Sequence, residues 1–379
     1  MNSLMKSLYV DLHNRLKKMI DILEARNMQS PAASDFKKQT IVTLSEIKGK
    51  INITIESGIL EETYFIPNLL TKFGILKQMF IEVELFQYLP ILKYDERAEG
   101  YFQKIIQEIY REIKTAQKAP LVCTISNSDS YYWVYSNSKV IALPQGEENH
   151  LLNLSDLYHE IGHLLFEPYD SIITDPFSKE MKQYYQNIKK GLKAKEKLAV
   201  NKIIRSTEEH WMNSWIEEIS CDLIATYLVG TAYAWSNMKI TVPESGTNKM
   251  YSSHNSFQQH PPHETRMRCI LAMLHKTNFN VDLVEINKTW EDLLKNSHRS
   301  KHKTYDLMFP DELINLLTTI VFGVCQDDLL LSYPQQLEKN TAPISKIIND
   351  AWKMILRDPI NYSAWEFNQI ENLQSLPFV

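Results

Sequence analysis

His159-Glu160-Ile161-Gly162-His163 is the segment whose residue types and spacing point most directly to chemistry. On a helix, residues four apart share a face, so both imidazoles reach one ion while Glu160 projects beside it. Neutral imidazole is a good zinc ligand. A neighbouring carboxylate can take the proton of water whose pKa the metal lowers toward roughly 7. The expected cofactor is one Zn²⁺ per chain. A histidine pair packed for structure alone has the same spacing, so the motif must be weighed with its surroundings.

A catalytic zinc site needs a third protein ligand and leaves a fourth position open. Some fifty residues further on, Trp215-Ile-Glu-Glu-Ile-Ser-Cys-Asp reads as a helix on which Glu218 and Asp222 are again four apart. Glu218 is the expected third ligand. Asp222 is placed to accept the second ring N–H of a ligand histidine and so fix its tautomer. Glu217, about 100° around the helix, is the alternative ligand. The neighbours Trp211, Trp215, Ile216, Ile219 and Leu223 are apolar, and acidic side chains are seldom buried without a partner.

Together these segments resemble the gluzincin metallopeptidases, whose third ligand is a glutamate on a second helix with a supporting aspartate four residues later. His260-Pro-Pro-His-Glu-Thr-Arg-Met-Arg resembles the HPP-x-x-x-R signature of the HtpX and CAAX-prenyl-protease group. The resemblance covers about residues 119–275. It implies metal ligation by His159, His163 and Glu218, general-base catalysis by Glu160, and a supporting role for Asp222. It also implies that His260 lines the cleft near the scissile carbonyl, with Arg266 as the family arginine. A donor there would steady a developing oxyanion, a contact whose loss typically costs about 2.7–4 kcal/mol. His263 is the alternative to His260. The strand Lys139–Leu143 is expected to be an edge on which an extended peptide adds, making Val140, Ile141 and Ala142 substrate contacts.

The implied activity is a zinc-dependent endopeptidase of narrow specificity acting on protein or peptide substrates. Two alternatives remain: a non-catalytic binding protein on the same scaffold, and a hydrolase of a non-peptide amide. Many members of the group are embedded in membranes, so membrane substrates and prenylated peptides are not carried over to a chain with no evident span.

The elements that must position these residues read as mainly α, an α+β architecture with a zincin-like core, a small hairpin and helical flanks. Up to residue 118 apolar residues recur every three or four positions, as in Leu4, Leu8, Leu12, Leu16, Ile20 and Leu23, with a break at Gln29–Asp35 and an expected interruption at Pro67. Residues 119–275 form the expected catalytic core. In it, Tyr131–Tyr135 and Lys139–Leu143 flank Ser136-Asn-Ser as a hairpin, after the β-prone run Leu121–Ile125. Asn153 or Ser155 is placed to cap the motif helix, Pro168 to stop it, and a lysine-bearing insert spans about 170–208. A further helix is expected from about Glu208 to Trp235, and residues 276–379 form a helical C-terminal region.

Composition sets the outer limits. Only 10 of 379 residues are glycine, which argues against phosphate-cradling loops and dinucleotide-binding architectures. A net charge of −5 gives no global field toward nucleic acid or an anionic membrane. The lysines of the insert read as a solvated face. Cys123, Cys221, Cys269 and Cys325 show no CxxC pair and read as buried thiols. Asp11, His13 and Asn14 interrupt the N-terminal apolar run, and Leu223–Trp235 and Leu313–Cys325 are short for a span. The expectation is a cytoplasmic protein without membrane insertion. His13, His210, His275, His298 and His302 are expected at the surface or at caps. Oligomeric state is not legible in the sequence.

Overall fold

The computed structural model describes residues 2–62, 66–94, 98–126, 131–144, 147–251, 259–279, 282–297, 299–328, 330–340 and 342–375. His298 and the stretch 252–258, which contains His254, lie outside them. The chain forms two compact units, one from the described residues within 2–104 and 119–144, the other from those within 105–118 and 147–375.

In the first unit α1 (Asn2–Ala25) packs on α2 (Pro31–Glu56). Between them, Ser30 Oγ accepts the Ala33 N–H at 3.4 Å and Pro31 occupies the first turn, where its missing N–H costs nothing. Pro67 likewise opens α3 (Ile66–Val83) rather than interrupting it. A π-helical turn at Glu84–Tyr88 leads into α4 (Leu89–Lys93), and α5 (Ala98–Ile113) follows, with residues 98–104 in this unit and 105–113 in the second. Tyr9, Leu16, Leu44, Ile51 and Phe80 form the core with Leu121, Cys123 and Val140.

The strands β1 (Leu121–Ser126), β2 (Trp133–Tyr135) and β3 (Val140–Pro144) form one sheet in the order β1-β3-β2. The expected hairpin is present: β2 and β3 pair antiparallel across the turn Ser136–Ser138. The run Leu121–Ile125 lies on the other side of β3, parallel to it, with Leu121 opposite Val140 and Cys123 opposite Ala142. β3 is therefore the middle strand. Val140, Ile141 and Ala142 are buried and flanked on both sides, so the expectation that they form an edge for a peptide is corrected. β1 is itself held by α5, where Gln103 Oε1 accepts the Val122 N–H at 3.2 Å and Glu99 Oε1 accepts the Thr124 N–H at 2.7 Å.

The second unit contains α6 (Leu154–Phe166), α7 (Asp170–Gly191), α8 (Ala194–His210), α9 (Ile216–Val229), α10 (Thr231–Glu244), α11 (His263–Lys276), α12 (Leu283–Asn296), α13 (Tyr305–Met308), α14 (Asp311–Asp327), α15 (Tyr333–Lys339), α16 (Ile344–Arg357) and α17 (Tyr362–Gln374). The described residues are thus mainly helical with one small sheet, as the spacing of the apolar residues suggested. The grouping differs from the expected boundaries. The strands belong with the N-terminal helices, and the C-terminal helices belong with the HEIGH segment.

α9 is the hub of this unit. It packs on α6, α10, α11, α14 and α16, and every residue in it except Glu217 is buried. The helix expected over Glu208–Trp235 continues instead from α8 through a π-helical turn, Trp211–Trp215, and breaks at Gly230. Gly230 has φ 68° and ψ −138°, a conformation costly for any residue with a side chain. Asn153 precedes α6 without a side-chain cap, since its Oδ1 accepts from Lys239 Nζ instead, and Pro168 lies in the short 3₁₀ turn that ends the helix. Tyr305–Asp327 has the length and mean hydropathy of a membrane span. It is two helices jointed at Phe309-Pro310, and α14 buries Leu313, Leu317, Val321 and Cys325 in a unit where it packs on α7 and α9.

Candidate metal centre

The centre begins with a close crossing of α6 and α9. A Cβ on Gly162 would lie 3.0 Å from both the Cα and the carbonyl oxygen of Cys221, so only glycine lets the two backbones approach this far. The missing side chain at Gly162 is what admits the backbone of α9. His159, Glu160 and His163 come from α6, and Glu217, Glu218 and Asp222 from α9.

The imidazoles of His159 and His163 stand edge to face, 5.0 Å between ring centres. Glu218 Oε2 is 3.3 Å from His159 Nε2, and Glu218 Oε1 is 4.0 Å from His163 Nε2. The prospective ligand atoms of His159, His163 and Glu218 all lie within 4.8 Å of one another. Bonds of about 2.0–2.1 Å in a tetrahedron place ligand atoms about 3.3 Å apart, so one pair already fits and the others need to close slightly.

The outer nitrogens explain why the inner ones face each other. Asp222 Oδ1 accepts from His159 Nδ1 at 2.9 Å, and Glu217 Oε1 accepts from His163 Nδ1 at 2.8 Å. With both Nδ1 positions donating to carboxylates, both Nε2 atoms are directed at Glu218, and each offers a lone pair to an ion once its proton is released. Glu218 Oε2 is buried and, among the described residues, has no hydrogen-bond partner, its nearest polar neighbour being His159 Nε2. A buried carboxylate oxygen beside two inward-facing imidazole nitrogens fits a cation, and a two-histidine, one-glutamate donor set suits zinc. Glu217 is thus placed behind His163 and outside the cluster of prospective ligand atoms.

Asp222 is fully buried and heavily bonded. Arg266 donates to it twice, Nε to Oδ2 and Nη2 to Oδ1, each at 2.7 Å, and the Tyr233 hydroxyl donates to Oδ1 at 2.5 Å. Burial alone would raise the Asp222 pKa, but the Arg266 charge and hydrogen bonds, followed by those of His159, hold it well below the usual carboxylate range. Burial likewise opposes ionisation of Glu218, and His159, His260 and His163 together bring it down to about 2. For His159, desolvation works against the charged form, yet Asp222 and Glu218 carry its pKa up to about 10 in the metal-free protein. Glu160 is buried, and desolvation raises its pKa against the lowering influence of His159 and His163.

The HPP segment divides its duties differently from the expectation. Arg266, expected to steady an oxyanion, spends its Nε and Nη2 on Asp222 and keeps only 11 % of its side chain exposed, so it acts through Asp222. Between the two candidate histidines the placement is clear. His260 Nε2 is 3.6 Å from Glu218 Oε2, whereas His263 is buried and turned to Glu244, its Nε2 2.7 Å from Oε2. The His260 side chain is 59 % exposed, which mutes the desolvation that lowers its pKa.

Tyr233 and the Glu217–His163 pair escaped the sequence reading. Glu217 was visible as one of two adjacent glutamates, but only the crossing angle of the helices shows which histidine nitrogen it meets. Tyr233 lies past the Gly230 break, so no helical spacing relates it to Asp222. His210, expected at the surface or a cap, is buried, with its ring 4.9 Å from that of Trp215. No protein-family model, curated protein or solved structure matches this chain.

Proposed function

We propose that the protein is a zinc-dependent metallopeptidase of the gluzincin type, holding one zinc ion on His159, His163 and Glu218. The observation that carries this reading is the pairing of both histidine Nδ1 atoms with carboxylates, which turns both Nε2 atoms toward the buried Glu218 carboxylate. Zinc there supplies Lewis acidity toward a carbonyl group and toward water.

The chain's own residues account for the remaining steps. Glu160, adjacent to His159 on α6 and made more basic by burial, accepts a proton from the attacking water and returns it to the leaving amine. His260, exposed beside the cluster, donates a hydrogen bond to the oxygen on which negative charge develops. Asp222, gripped by Arg266 and Tyr233, holds the His159 ring in one tautomer and orientation. Substrates of this chemistry are peptides or proteins. The non-catalytic alternative shares the metal cluster but gives Glu160 no task.

The test compares wild type with Glu160→Gln, both verified to hold zinc, by sequencing new protein N-termini after incubation with a whole-cell lysate. New termini with wild type and their loss in the variant support peptide hydrolysis. Identical termini in both samples, or none with either, would sink it.

A further inference from the structure

We infer that Glu217 is a positioning residue for His163, so that each histidine of the cluster is oriented by its own carboxylate and the two carboxylates differ sharply in accessibility. The inference rests on the metal-binding half of the proposed function. Its geometry is direct: His163 Nδ1 lies 2.8 Å from Glu217 Oε1, matching the 2.9 Å from His159 Nδ1 to Asp222 Oδ1. The settings are opposite. Asp222 has no exposed side-chain surface and is tied to Arg266 and Tyr233, while the Glu217 side chain is 48 % exposed. Glu217 is also the one residue of α9 that is not buried.

This asymmetry divides the labour. His159 is fixed by groups that hold helices together, so its orientation is tied to folding. His163 is fixed by a carboxylate that can swing into solvent without disturbing the core. The His163 side is therefore the one that opens when the ion enters or leaves, and Glu217 sets how readily it opens. Carboxylates behind ligand histidines typically change metal affinity by about 10- to 100-fold.

The measurement is zinc affinity and the rate of zinc removal by a chelator, on the full chain, for wild type, Glu217→Ala and Glu217→Gln. The expected result is a loss of affinity of about 10- to 100-fold and faster stripping in Glu217→Ala. Glu217→Gln falls between, because its amide oxygen still accepts from Nδ1. Melting temperatures of the metal-free proteins stay equal, and cobalt-substituted proteins keep the same visible band pattern because Glu217 is not a ligand. Wild-type affinity in Glu217→Ala, a changed cobalt coordination, or a metal-free melting temperature lowered in Glu217→Ala would overturn the inference. A wild-type chain that takes up no zinc overturns both the inference and the reading beneath it. The readout is binding and does not depend on cleavage.

Discussion

Arg266 holds Asp222 by two hydrogen bonds of 2.7 Å, one to each carboxylate oxygen, at a point where Asp222 has no contact with solvent. The same carboxylate accepts from His159 and from Tyr233. One buried group therefore joins α6, α9, α10 and α11 and also orients a prospective metal ligand. Stability and chemistry share that contact, because a buried carboxylate must be fully paired to be tolerated.

Arg266→Ala removes the guanidinium partner of the buried Asp222 charge and leaves Oδ2 without its donor, which costs about 3–5 kcal/mol. Arg266→Lys restores charge but not the two-pronged grip, and recovers only part of the loss. Denaturant melts of the metal-free variants check this. Wild-type stability in Arg266→Ala would show that the pair is not structural.

Gly162→Ala places a methyl group 3.0 Å from the backbone of Cys221. α6 and α9 must separate, at a cost of about 1–3 kcal/mol. Because the crossing also sets the distances among His159, His163 and Glu218, zinc affinity falls together with the melting temperature. A variant that melts lower yet binds zinc as wild type would uncouple the crossing from the site.

Gly230→Ala meets two obstacles at once. The backbone has φ 68°, and the new Cβ would lie 2.7 Å from Tyr333 Cδ1. A destabilisation of about 1–3 kcal/mol is expected from the backbone conformation alone. Adding Tyr333→Ala relieves only the contact, so the double variant stays less stable than Tyr333→Ala itself. Equal melting curves for those two would remove backbone conformation as the cause.

Glu112 gives the stability a pH dependence away from the metal centre. Burial pushes its pKa up to about 8, although the Ile344 N–H, 2.9 Å from Oε2, favours the ionised form. An unfolded glutamate titrates near about 4.3. The folded chain thus binds more protons between these values, so this group's contribution is complete below about pH 4 and is lost as pH rises toward 8. Glu112→Gln imitates the protonated form and removes that loss. Its melting temperature should gain on wild type as pH rises from 5 to 8.5, by the equivalent of a few kcal/mol at most. Parallel profiles would contradict the shift.

The sequence disclosed the residues with periodic neighbours and hid those that depend on tertiary placement. His159, His163, Glu218 and Asp222 were legible because spacing of four on a helix leaves one choice of face. The mainly helical class and the β2–β3 hairpin were legible from local signals. The central position of β3 was not, because pairing Leu121–Ile125 with it is a contact between distant segments. Arg266 was legible as important but not as a partner of Asp222, since its motif fixes its position in the chain and not the direction of its guanidinium. His260 and His263 are three residues apart, and only the start of α11 decides that one faces Glu218 and the other Glu244.

The account stands on the His159, His163 and Glu218 cluster holding a metal, and elemental analysis of the purified chain tests that most directly. The account predicts one zinc per chain in wild type after dialysis against metal-free buffer, and loss of that zinc in His163→Ala with the fold retained. Wild-type protein without zinc, or zinc retained at full stoichiometry by His163→Ala, would contradict it.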